Sequence, residues 1–390
     1  MRIGVFSDSY RPYTSGVVTS ICTLKEELVK MGHEVFIFAP GYPNYHDEEP
    51  NIHRLLSIPA PTNRDFTLAL PVSPRISLLT RNLKLDIVHV HSPFILGQIG
   101  AKCARRLNLP LVFTYHTQYD QYAHYVPIGQ ELARDLTVKY SRNFCNRCDL
   151  VIAPSDDLRH LIAGYGVTTP IDVIPTGVDV ERFSSGDRTW LRCKYNIPDS
   201  HRICLFVGRL APEKNIDFLI RAFAGLKIIY PNVCLVIVAT GPLEKELKKL
   251  TIEEGLQLDR DVIFTGLLPS EELVNAYRGA DVFTFTSLSE TQGIVLVEAM
   301  AAGLPIAAVK GTGTHEMVED GQQGLLSDYD QESYIALIMR LLSEQKLSST
   351  LAAQASARAA QLSAKIMVSR IENRYKELCT ASRGLRPQIC

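Results

Sequence analysis

The sequence predicts an α/β protein built from two successive doubly wound domains, and three observations carry that prediction. At 390 residues the chain is too long for one ordinary core, since cores stop growing near ~250 to 300 residues. Short β-branched runs alternate with amphipathic segments through the first third, the pattern of parallel strands joined by helices. The alternation then starts afresh after PTGVDVERFSSGDRTW, residues 175–190.

Taken in order, RIGVFS (2–7) reads as a strand, GVVTSICTLKEELVKMG (16–32) as a helix stopped by Gly32, and HEVFIFAP (33–40) as the next strand. DIVHVHS (86–92), a helix through AKCARRLN, LPLVFTYH (109–116) and LVIAPS (150–155) continue the series. The second set comprises RICLFVGRL (202–210), NVCLVIVATG (232–241), DVIFTGLL (261–268), DVFTFTS (281–287) and PIAAVKG (305–311). Residues 330–378 are helical by composition. The expected division is a first domain over 1–178, a second over 179–365, and a last helix over 366–390 returning toward the first. Ligands bind such sheets at the carboxyl ends of strands, so two domains of this type offer a cleft between facing edges.

Composition narrows the class. Apolar residues make up 46% and charged residues 21%, which excludes a disordered or fibrous chain. A net charge of -1 gives no steering toward nucleic acid. The start, MRIGVFSDSYRP, lacks the long apolar region of a signal peptide, and no window approaches the ~20 apolar residues of a spanning helix. The expectation is a cytoplasmic protein. Nine scattered cysteines suit reduced thiols. Cys145 and Cys148 form a CxxC with no second pair at finger spacing, so they read as ordinary thiols on a helix turn rather than zinc ligands.

Several segments are candidates for chemistry. GRLAPEKN (208–215) sets Arg209 and Lys214 just past a strand, with Gly208 allowing close backbone approach. An arginine fork and a lysine point charge suit a diphosphate; the competing reading is a solvated turn in which Glu213 offsets the charge. In SETQGIVLVEAM (289–300), Gly293 starts a helix that runs through Ile294, Val295, Leu296 and Val297 to Ala302, with Gly303 as its stop. The free amides at such an N-terminus bind phosphate without a metal. Carboxylates are costly to bury, so Glu290 before the apolar run and Glu298 inside it call for a reason. Both can accept hydrogen bonds from sugar or ribose hydroxyls in the cleft. The alternatives are a first-turn helix cap for Glu290 and a solvated helix face for Glu298.

His116 ends a strand and enters the aromatic loop TYHTQYDQYAHY (114–125), where a structural and a catalytic role both stand open. His89 and His91 share one strand face, with no third metal ligand apparent nearby. The loop SDSYRPYTSGVVTS (7–20) brings Gly16 to a helix start, where backbone can approach a phosphate or sugar. Two Asp-x-Asp triplets, Asp259 with Asp261 and Asp328 with Asp330, read as solvated turns rather than holders of a divalent ion. A diphosphate is then met by Arg209, Lys214 and the helix N-terminus, which predicts metal-independent chemistry with no cofactor.

Together these segments resemble the retaining glycosyltransferases of family four, which have the GT-B fold of two Rossmann-like domains facing across a cleft. The likeness runs from RIGVFSDSYRPYTSGVVTSI through VFTYHT, GRLAPEKN and ETQGIVLVEAMAAGLPI to EMVEDGQQGLL. It implies that Arg209 and Lys214 hold the diphosphate of a nucleotide sugar, Glu298 the ribose hydroxyls and Glu290 the hydroxyls of the transferred sugar. Backbone amides near Gln292, Gly293 and Ile294 complete these contacts, Gly16 closes over them from the other domain, and His116 touches the donor sugar near its reacting carbon. The leaving phosphate assists deprotonation of the acceptor, so charge stabilisation on that phosphate is the main protein contribution.

Two departures from the family pattern are visible. ATGPLEKEL has Thr240 before Gly241 where members commonly carry a second glycine, and Thr291 and Gln292 stand between Glu290 and Gly293 where many members have Glu-x-Phe-Gly. The Thr-Gln version, with YHTQYDQYAHYVP, looks like the branch that glycosylates diacylglycerol lipids. Residues 54–147 carry twelve basic against five acidic side chains, an excess of seven that suits peripheral contact with an anionic membrane. PRISLLTRNLKL (74–85) either lies at that surface with Ile76, Leu78, Leu79 and Leu83 inward or packs on the sheet as an ordinary amphipathic helix. The expected activity is retaining transfer of a hexose, glucose from UDP-glucose in the first instance or a related hexose, to a membrane lipid such as diacylglycerol. The alternatives are a GDP-mannose-dependent enzyme acting on a phosphoinositide or soluble sugar, a nucleotide-sugar epimerase or hydrolase, and a non-catalytic carbohydrate-binding module.

Overall fold

A computed structural model of the chain describes residues 1–60, 66–71, 74–119 and 130–384. The chain divides into two units, Met1–Gly177 together with the segment from Ala364 onward, and Val178–Ser363. Most of the aromatic loop after His116 lies outside the described residues.

The first unit holds β1 (Arg2–Phe6), β2 (Glu34–Pro40), β3 (Ile52–Leu55), β4 (Ser57–Pro59), β5 (Thr67–Ala69), β6 (Ile87–Val90), β7 (Leu111–Thr114), β8 (Leu150–Ala153) and β9 (Ile171–Val173). Seven of these form a parallel sheet in the order β3-β2-β1-β6-β7-β8-β9, while β4 and β5 pair antiparallel beside it. The second unit holds β10 (Arg202–Val207), β11 (Val233–Val238), β12 (Val262–Gly266), β13 (Val282–Phe285), β14 (Ile306–Val309) and β15 (Gly324–Ser327), parallel in the order β12-β11-β10-β13-β14-β15. Each order reverses beside the first strand of its unit, between β1 and β6 and between β10 and β13. Chains leaving two such neighbours diverge, which opens a crevice at their carboxyl ends.

The sequence explains the burial. All six residues of β11, VCLVIV, are buried, as parallel strands covered on both faces require. Phe6 and Phe38 stack at 4.2 Å in the first core, each fully buried side chain of this kind contributing about 1.5–3 kcal/mol. The first helix, Gly16–Lys30, is capped by Ser15, whose hydroxyl accepts from the Val18 amide. The last helix, Ala364–Gly384, belongs to the first unit. Its Tyr375 is fully buried with the hydroxyl 2.5 Å from His89 Nδ1, and its Glu372 lies 2.7 Å from His33 Nε2. Arg374 adds an ion pair with Asp172 at 2.6 Å. Among the described residues no helix is long and apolar enough to cross a membrane.

Some expectations need correction. In the Pro74–Asn82 helix Ile76 is buried and Leu79 packs against the core, but Leu78 is 63% exposed, because a helix cannot turn positions 78 and 79 to the same apolar side here. The Asp triplets are not simply solvated. Asp261 is buried, paired with Lys227 at 2.9 Å and hydrogen-bonded by the Gln257 amide, whereas Asp330 caps the Gln331–Ser343 helix through the Ser333 amide. Cys145 and Cys148 are buried thiols whose pKa values burial pushes up, that of Cys145 to about 12.

Candidate active site

The crevice between β10 and β13 gathers the charged residues of the second unit. After β10 the chain passes Arg209 and turns through a short 3-10 segment, Pro212–Lys214, ended by Asn215 in the left-handed region with φ 48°. That segment is fastened to the chain leaving β13. Thr286 Oγ1 donates to the Lys214 carbonyl at 2.8 Å, Ser287 Oγ to that of Glu213 at 3.0 Å, and Asn215 Nδ2 to that of Thr286 at 3.2 Å. Thr286 and Ser287 are fully buried, so these bonds are shielded from water and fix the register of the two loops.

The register brings Lys214 Nζ onto Glu290 Oε1 in an ion pair whose side chains are 19% and 14% exposed. Glu290 is therefore not a helix cap, and it is Glu290 rather than Glu213 that offsets the lysine. Arg209 is exposed and has no ion-pair partner among the described residues. The β13 loop is in turn held by the loop after β14: the Glu290 amide donates to the Thr312 carbonyl at 3.1 Å. At Gly313 a Cβ would come within 2.6 Å of the Glu290 carbonyl oxygen, so only glycine permits this approach. Sequence reasoning passed over this support, although KGTGTHE, with two glycines just past a strand, signals it.

Gly293 caps the Ile294–Ala301 helix with φ 75°, and no side chain caps that N-terminus. The Leu296 amide turns back to the Gly293 carbonyl at 2.9 Å, while the Ile294 and Val295 amides keep the donors and partial positive charge that an anion uses. Gln292 beside it is buried. Glu298, inside the helix, is not on a solvated face: it is 8% exposed, and Tyr277 Oη donates to its Oε2 at 2.7 Å. Burial holds its carboxyl above the ordinary range, opposed by the Tyr277 hydrogen bond and Arg182. Among the described residues Oε1 of Glu298 has no protein partner.

The first unit's crevice, between β1 and β6, is lined differently. Asp8, just past β1, accepts the Ser92 hydroxyl and the Leu96 amide, the latter at 3.0 Å, and so ties β1 to the Ile95–Leu107 helix. Gly16 is exposed at the start of its helix. His91 and His116 meet at the ends of β6 and β7, with His91 Nδ1 2.8 Å from His116 Nε2. The third histidine that sequence reasoning did not find beside His89 and His91 is therefore His116. Burial pushes its pKa down to about 4 and that of His89 to about 3.

Residues 14–182 match Glycosyltransferase Family 4 and residues 187–358 match Glycosyl transferases group 1. An alpha-monoglucosyldiacylglycerol synthase of Streptococcus pneumoniae is 37% identical over 84% of this chain and 75% of its own length. One from Acholeplasma laidlawii is 32% identical over 85% and 86%, respectively. A GDP-mannose-dependent alpha-mannosyltransferase of Corynebacterium glutamicum is 30% identical over 84% and 77%. Among solved structures, HepE from Anabaena, in complex with UDP and glucose, superimposes with a TM-score of 0.78 at 20% identity over 97% of this chain and 100% of that one, a likeness of fold. The two Rossmann-like units together with these matches define a glycosyltransferase of the GT-B fold. The chain belongs to glycosyltransferase family 4, in the branch that resembles the diacylglycerol glucosyltransferases.

Proposed function

We propose that the protein is a retaining transferase that moves glucose from UDP-glucose to a membrane lipid such as diacylglycerol, without a metal ion or other cofactor. The observation that carries this reading is the Lys214–Glu290 pair beside the uncapped Gly293 helix start, with Arg209 exposed on the loop just past β10. Two cations and a helix N-terminus stabilise the charge that grows on a departing diphosphate. In this reading the bond from the anomeric carbon to the phosphate oxygen breaks and the bond to the acceptor oxygen forms on the same face. The acceptor proton passes to the leaving phosphate, so no protein base is required. Glu290 leaves Lys214 for the hydroxyls of the transferred sugar, Glu298 accepts from the ribose, and the amides near Gln292 and Ile294 bind phosphate.

The lipid acceptor is favoured by the names of the glucosyldiacylglycerol relatives and by the excess of seven positive charges over residues 54–147. Each exposed basic residue near an anionic leaflet contributes about 1 kcal/mol, which suits a peripheral enzyme on the cytoplasmic membrane face. A second reading, mannosyl transfer from GDP-mannose, is favoured by the mannosyltransferase relative. Incubation with labelled UDP-glucose or GDP-mannose and diacylglycerol vesicles tests both. A labelled glycolipid formed from UDP-glucose, undiminished by EDTA, is the expected result. A mannolipid supports the second reading, and sugar released without acceptor means a hydrolase.

A further inference from the structure

The three histidines of the first unit form a layered group. His91 and His116 lie just past the ends of neighbouring strands with nearly parallel rings, 18° apart with centroids at 5.1 Å. His89 packs against His91, its centroid 4.2 Å away and its ring tilted by 36°. His89 is fully satisfied, with Nδ1 on Tyr375 Oη and Nε2 2.7 Å from Thr114 Oγ1. His91 is 2% exposed, and only its Nδ1 has a partner, because Nε2 is buried with none among the described residues.

A single proton bridges His91 Nδ1 and His116 Nε2. Burial disfavours a charged ring, and for His91 the neighbouring His89 and His116 add to this, so both rings are neutral and each carries one proton. If His116 were the donor, the proton of His91 would sit on Nε2, a buried N–H with nothing to accept it. If His91 is the donor, its Nε2 is a bare lone pair, and orphaned donors are the rarer of the two defects in folded proteins. His116 Nε2 then accepts, which moves the His116 proton to Nδ1, the ring's one remaining nitrogen.

We propose that His91 is the positioning residue for His116, donating Nδ1–H to His116 Nε2 so that His116 presents its own Nδ1–H to a substrate hydroxyl or phosphate oxygen. His116 is thus a hydrogen-bond donor and not a base. The role at substrate rests on the transferase reading; the tautomer does not.

The test has two arms. Long-range 15N–1H spectra of 15N-histidine-labelled protein read the tautomer in the unaltered enzyme, with His116→Gln and His91→Asn used only to assign signals. The expected pattern is a protonated Nδ1 and bare Nε2 on His116, and the reverse overturns the proposal whether or not transfer is detected. Kinetically, His91→Phe should lower kcat about 10- to 100-fold, as misorientation of a reacting-site group does, with KM little changed. His91→Asn, whose amide retains a donor, should recover most of that loss. In a His116→Ala background, His91→Phe should have no further effect on kcat. Additive losses, or equal losses for Phe and Asn, would make His91 a packing residue only.

Discussion

Lys214 and Glu290 neutralise one another across two loops, so in the proposed reading the diphosphate competes with a carboxylate for its lysine. Glu290→Gln removes that competitor and also a charged acceptor for sugar hydroxyls. UDP alone should bind several-fold tighter to this variant by calorimetry, while sugar transfer falls about 10²- to 10³-fold, the scale on which loss of one charge-stabilising group is felt. Weaker UDP binding would contradict the pairing. Glu298 gives a second prediction at this scale. Its folded pKa is raised above the ordinary 4.5 by burial, so folding favours the neutral acid. The stability this supplies is fully present below the unfolded value and is lost as pH rises through the folded one. Glu298→Gln should therefore flatten the decline of stability between mildly acidic and neutral pH in denaturant titrations, and weaken UDP-glucose binding. A parallel, unflattened pH curve would show that the carboxyl does not titrate as its burial implies.

At the scale of elements, the helix start at Gly293 and the histidine layer on β6 and β7 set the two sites. Gly293→Ala forces a side chain into φ 75° against Leu296, a strain of about 1–2 kcal/mol. A modest drop in Tm should accompany a disproportionate loss of UDP affinity; unchanged affinity would remove the helix N-terminus from the phosphate site. His89 and His116 have folded pKa values near 3 and 4 against 6.5 when unfolded. Depressed values give stability that is present above pH 6.5 and lost as pH falls toward 4, at about 1.4 kcal/mol per pH unit for each ring. Acid should release the last helix, where Tyr375 holds His89, and Tyr375 fluorescence or hydrogen exchange in 364–384 reads this. Retained protection down through pH 3 would refute it. The central strands were legible in the sequence because VCLVIV and RICLFV are buried runs bounded by turn residues. The edges β3, β9 and β15 escaped, since three or four residues carry too little pattern. Within the sites, Arg209, Lys214 and Gly293 could be read from residue type and position. The Tyr277–Glu298 bond, the Thr286 and Ser287 fastenings and the His91–His116 contact could not, because each joins residues from different elements.

At the scale of the whole molecule, two parallel sheets built to one plan carry different chemistry at their switch points. The first unit's crevice is lined by neutral histidines, a half-buried acid and backbone amides, and the second unit's by cations, acids and an uncapped helix. The triplet aspartates that a divalent ion would need are partly committed to Lys227, Lys310 and a helix cap. In the proposed reading, charge on the diphosphate falls to Arg209, Lys214 and the Gly293 helix. A crystal structure with UDP-glucose bound tests this most directly. The account predicts both side chains and the first-turn amides within hydrogen-bonding distance of the diphosphate, and Glu290 moved from Lys214 to the sugar hydroxyls. A diphosphate bound away from Arg209 and Lys214, or bridged by a divalent ion, would contradict it.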